Sequence, residues 1–170
     1  TVTFNNPDST DTGYGPLIDL VLPTSGADGP TDPDGLFFNG ATYLGATIEH
    51  TVITIPASGC ITHPYMMDGS TMAPLQVCGL TEGDTFVALR LPFGSFTPNQ
   101  PTLSIDVSAT MSNWADVGKP LTIQARGGYQ YGYDPLDNFD VDNPTATLSP
   151  WTSASVTPIL FRLEKTYHGP

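Results

Sequence analysis

Positive charge is scarce in this chain. Of 170 residues, five are Lys or Arg against 17 Asp or Glu, a formal net charge of -12. That balance repels phosphate backbones and anionic headgroups, so nucleic acid is not an expected partner. Charged residues of both signs make up 13% of the chain and hydrophobic ones 39%, which argues for a folded domain over a disordered tail. Long apolar runs are also missing. No segment approaches the roughly 20 residues of a membrane-spanning helix, so direct membrane insertion is not expected. The start, Thr1-Val2-Thr3-Phe4, has neither the basic nor the apolar region of a signal peptide, so an export signal or anchor is expected outside these residues.

Catalytic signatures are equally absent. There is no Gly-x-Ser-x-Gly elbow, no His-Glu-x-x-His, no phosphate-binding glycine loop and no convincing Cys–His pair, so no constellation assigns named roles and a non-enzyme is expected. Carboxylates are abundant enough that some pair falls at glycosidase separation by chance. Cysteine is limited to Cys60 and Cys78, which flank a loop. They read as a disulfide, the alternative being two buried thiols in a cytosolic protein. A cross-link there would staple the intervening excursion, by about 3 kcal/mol in the chain-entropy treatment.

What is plentiful is punctuation. Seventeen Gly and 17 Pro are scattered without a period, which means many turns and few helices. Between them lie β-branched and alternating segments: Val2 to Phe4, Leu17 to Leu22, Thr47 to Ile55, Thr85 to Leu91, Thr102 to Ala109, Leu121 to Ala125 and Thr157 to Leu163. Leu103, Ile105, Val107 and Ala109 share one strand face, and Ile159, Phe161 and Leu163 share another. In 47–55 the apolar residues change parity, so a bulge is expected near Thr51. Ser112 to Val117 is the one helix candidate, stopped by Gly118 and Pro120 after barely two turns. The expected fold is all-β: one antiparallel β-sandwich domain over 1–170, Ig-like or Greek-key, with long loops and at most one short helical turn. An open-ended barrel is the alternative.

The densest polar cluster runs from Asp134 to Pro144. It contains Asp134, Asp137, Asn138, Asp140, Asp142 and Asn143 together with two prolines. Hard cations take six to eight oxygens from such groups, so a calcium site is one reading. A solvated loop of Asx-turns is the other. The spacing is not that of an EF-hand, since Asn143 replaces the turn glycine and Ser149 the bidentate Glu. Asp28, Asp32 and Asp34 form a second cluster, and Asp8 and Asp11 a third; both read as turn chemistry. His63, Met66, Met67 and Met72 lie between the cysteines, but one His without a second makes a loop with exposed thioethers a better reading than a soft-metal site. Tyr129, Tyr131 and Tyr133 alternate along one strand face, either as a stripe that binds a ligand or as a core wall. Lys119 and Lys165, the only lysines, look exposed, which argues against a buried Lys–Asn or Lys–Asp cross-link.

Residues 91–101 (Leu-Pro-Phe-Gly-Ser-Phe-Thr-Pro-Asn-Gln-Pro), residues 118–128 and Tyr131 to Asn138 resemble segments of large repeat-containing adhesin-like and fimbrial proteins. Leu163-Glu164-Lys165-Thr166 resembles the junction between tandem Ig-like modules of bacterial surface proteins. The resemblance covers roughly residues 79 to 170 and implies an extracellular, cell-surface spacer module, with 164–170 as its exit. Its partners would be neighbouring domains of the same polypeptide. The alternative is an adhesive module that binds a glycan or a surface protein with calcium. No family activity transfers to a residue here.

Overall fold

The computed structural model describes residues 1–68, 73–130 and 147–160, and these form strands and turns without a helix. In chain order the strands are β1 (Val2–Phe4), β2 (Gly13–Tyr14), β3 (Pro16–Leu22), β4 (Leu36–Tyr43), β5 (Ala46–Thr47), β6 (Glu49–Thr54) and β7 (Ile61–Met67). They continue as β8 (Pro74–Val77), β9 (Thr85–Arg90), β10 (Ser95–Phe96), β11 (Leu103–Met111), β12 (Leu121–Tyr129), β13 (Thr147–Leu148) and β14 (Thr152–Val156). All pairings are antiparallel.

Two sheets carry the architecture. One has the order β1-β11-β4-β5; the other runs β13-β12-β3-β9-β6, with β14 also on β12. They pack face to face. Phe4, Leu36, Ala41 and Ile105 of the first meet Ile18, Leu20, Leu22, Val87, Leu89 and Leu121 of the second in one buried cluster. This is the expected all-β sandwich, with alternate residues of each strand turned inward.

β3 explains the third layer. Every residue from Pro16 to Leu22 is buried, so this strand is covered on both faces. Ile18, Leu20 and Leu22 face the sandwich core, while Asp19 and Val21 point the other way. There the β7–β8 hairpin lies over the sheet, and Val21, Ile55, Ile61, Val77, Phe86 and Ala88 form a second buried cluster. The disulfide closes this hairpin at its base, with Cys60 and Cys78 Cα atoms 4.1 Å apart.

Several elements differ from expectation. The break in 47–55 falls at Ile48, where the chain leaves β4 and joins β9; Ile48 is buried and its amide donates to Ala41 O at 3.0 Å. The register irregularity in the first sheet is instead between Ser108 and Ala109, opposite Asn39 and Gly40, and Ala109 is exposed there. Among the described residues the last strand is Thr152–Val156; of the expected strand Thr157 to Leu163, residues 157–160 are not strand and Ile159 and Leu160 are exposed, while Phe161 and Leu163 lie outside the described residues. Pro158 has no N–H for a ladder, and its carbonyl accepts from Gly118 N instead. Residues 112–117 form turns. Ser112 Oγ accepts the Trp114 amide at 3.1 Å, but Gly118, at φ 83°, ends the segment before a helix can propagate.

Candidate metal centre

The β3–β4 loop is held by its own ends. Gly35 N donates to Thr24 O and Leu36 N to Pro23 O, both at 3.1 Å. Ser25 anchors the near side, donating its hydroxyl to Asp84 Oδ1 at 2.5 Å and its amide to the same oxygen at 3.2 Å. The far side is set by a ladder. Because Met111 pairs with Leu36, residues after 111 emerge beside residues before 36, and Ser112 N donates to Gly35 O at 2.9 Å. The β11–β12 loop is thereby laid against the β3–β4 loop.

That convergence gathers three carboxylates. Oxygens of Asp28, Asp34 and Asp116 lie within 4.8 Å of one another, and the group could hold a metal ion. Asp28 is exposed, Asp116 half-buried and Asp34 only 6% exposed. Three like charges at that range repel by roughly 1 to 4 kcal/mol per pair, depending on how far water screens them. All the side-chain donors are oxygen, which suits a hard cation. The local sequence had pointed to turn chemistry and to Asp32. The structure leaves Asp32 out of this group and brings in Asp116, which no spacing rule connects to Asp34.

A second polar constellation is buried under the hairpin. Asp19, fully buried, receives Arg126 Nε at 2.8 Å on Oδ2; Arg126 Nη2 lies 2.8 Å from the same oxygen as an ion contact. His63 Nε2 lies 2.8 Å from Asp19 Oδ1. The amides of Tyr65 and Met66 both donate to His63 Nδ1 at 3.1 Å. Nδ1 is therefore an acceptor, the ring proton sits on Nε2, and that N–H donates to Asp19. Both ring nitrogens are engaged, which leaves no lone pair for a metal. Arg126 in turn stacks on Trp151, 4.2 Å from the ring centroid.

The expectation of a loop with exposed thioethers is corrected here. His63 and Met66 are buried on strand β7 at 2% and 1% exposure. Pro64 masked the strand in the sequence; it is accommodated because the β7–β8 ladder is irregular between Thr62 and Met67.

The acidic segment with Asp134, Asp137, Asn138, Asp140 and Asp142 lies outside the described residues, as do Tyr131, Tyr133, Met72 and Lys165. Tyr129 is buried, at 7% exposure. Its ring meets Phe4 edge-on at 5.6 Å and covers Gly13, where a Cβ would collide with it. Asp8 behaves as turn chemistry predicts, its Oδ1 accepting the amides of Thr10 and Asp11 at 2.8 Å each. Lys119 is exposed.

A groove of about 580 Å³ opens beside β1 and β12, lined by Phe4, Tyr129, Leu148, Asn6, Asp8 and Arg126 among others. Asn6, Asp8 and Arg126 are already bonded within the chain. Compared with family models, with curated proteins and with solved structures, the chain finds no match in any of the three.

Proposed function

We propose that this chain is an extracellular structural spacer module, of the Ig-like kind its sequence resembles in bacterial surface adhesins and fibres, and that calcium stabilises it. The observation that carries the structural reading is the use made of buried polarity. Asp19, His63 and Arg126 all bind one another or the backbone, and together they join the hairpin layer to the sheet. Groups so engaged hold architecture and leave no free base or nucleophile in that cluster. The disulfide fits an oxidising compartment, and among the described residues no helix is long and apolar enough to cross a membrane. Neighbouring domains of the same polypeptide are the partners this reading implies.

Calcium is the cation proposed because the Asp28–Asp34–Asp116 group offers only oxygen donors and Asp28 is exposed to water. The test has two arms. Thermal unfolding of the full chain in millimolar calcium, against EDTA at matched ionic strength, should show a higher midpoint with calcium. Glycan and peptide arrays probed with the same protein should show no saturable binding. Specific binding would replace the spacer reading with the adhesive one, and an unchanged midpoint would remove calcium.

A further inference from the structure

We infer that Asp28, Asp34 and Asp116 are the calcium ligands, and that the bound ion clamps the β3–β4 loop to the β11–β12 loop and through it holds residues 157–160. The inference rests on the calcium reading above and gives it a location and a consequence.

A cluster of acidic side chains does not by itself require an ion. Asp34 supplies the independent evidence. Its Oδ1 is buried and has no hydrogen-bond partner among the described residues, the residue is only 6% exposed, and one oxygen of its carboxylate lies within 4.8 Å of oxygens of Asp28 and Asp116. A buried carboxylate oxygen without a donor loses its hydration and recovers nothing from the protein. A cation at the centre of the three carboxylates would supply what is missing. The backbone at position 26 makes room for this carboxylate. Gly26 sits at φ 67°, and a Cβ there would collide with Asp34 Oδ1, so position 26 excludes any side chain that would push the carboxylate aside. Asp28 and Asp116 are more open to solvent, which leaves room for water to complete six to eight oxygens.

The consequence follows from the loop's other bonds. Asp116 O accepts the amide of Lys119 at 3.2 Å, and Gly118 N donates to Pro158 O at 2.9 Å. An ion that fixes Asp116 against Asp34 therefore also fixes the turn that holds the chain beyond β14.

The test uses the full chain. Calcium is titrated calorimetrically at constant ionic strength, and terbium luminescence is excited through Trp114, which is exposed two residues from Asp116. D116N and D28N alter groups outside the core, so they test the site without challenging folding; D34N tests the buried ligand; D142N is the control in the acidic segment 134–144. The wild type and D142N should bind alike. D116N and D28N should lose about tenfold or more in affinity, as removal of ligand charge predicts, together with most of the Trp114-sensitised emission. Calcium should slow hydrogen exchange at the Gly118 amide in the wild type and not in D116N.

Equal binding by D116N, D28N and the wild type would overturn the site. If D142N alone then lost binding, the calcium reading would stand with its ion elsewhere. No saturable binding by the wild type would sink both. Binding at the triad with unchanged Gly118 exchange would overturn the clamp.

Discussion

Asp84 and Arg126 show two ways in which single residues set stability. Burial raises the Asp84 carboxyl above its ordinary value of 3.8, opposed by the hydrogen bonds from Ser25 and Thr24. A raised acid stabilises the fold when protonated. Its contribution is therefore complete below pH 3.8 and is lost as pH rises through the raised folded value. Asp84→Asn keeps an acceptor for Ser25 without the charge. It should raise the denaturant midpoint at pH 7, with the gain over wild type vanishing near pH 3; a lower midpoint at pH 7 would show that the Ser25 bonds to a charged group outweigh burial. Asp8 has the opposite sign. The Thr10 and Asp11 amides lower its carboxyl, so its contribution is present above pH 3.8 and lost as pH falls through the lowered folded value. Arg126→Met removes the cation from a fully buried Asp19 and should cost about 3 kcal/mol in urea unfolding, as breaking one side of a buried pair does. A loss under 1 kcal/mol would mean that His63 alone satisfies Asp19.

At the scale of elements, the β7–β8 hairpin is a layer attached to the sheet by the second apolar cluster, by the Asp19–His63 bond and by its disulfide. Reduction lengthens the set of conformations open to the unfolded segment by freeing a loop of sequence separation 18, at about 3 kcal/mol. Mild reduction should accelerate hydrogen exchange at the Tyr65 and Met66 amides, which His63 holds, before the β3 and β9 amides respond. Simultaneous loss of protection in both would show that hairpin and sandwich unfold as one unit. β14 illustrates a different principle. Its five residues are all exposed, so Thr, Ser, Ala and Val serve as well there as larger groups, and hydrophobicity is no guide to an edge strand.

At the scale of the whole molecule, a net charge of -12 works against compaction at low ionic strength. Raising NaCl from about 10 to 150 mM shortens the Debye length from roughly 30 to 8 Å. In EDTA this should raise the thermal midpoint by roughly 2 to 4 °C, equivalent to about 1 kcal/mol for a chain of this size. A flat response would mean that the acidic groups are already far enough apart to be screened. What residue order settles by itself is the class of fold and its local pieces. The runs that became β1, β3 and β9, the turn-rich spacing and the Cys60–Cys78 pair are all legible, because strand burial and turn chemistry act over a few residues. β4 was hidden by Asn39-Gly40, which reads as a turn, and β7 by Pro64. The candidate centre was half legible: Asp28 and Asp34 stood out as acidic, but their partner did not. Only the tertiary structure decides that Asp116 meets them. The Met111–Leu36 register carries one loop onto the other, and a ladder between distant strands is fixed by the burial of whole faces, which no local pattern encodes.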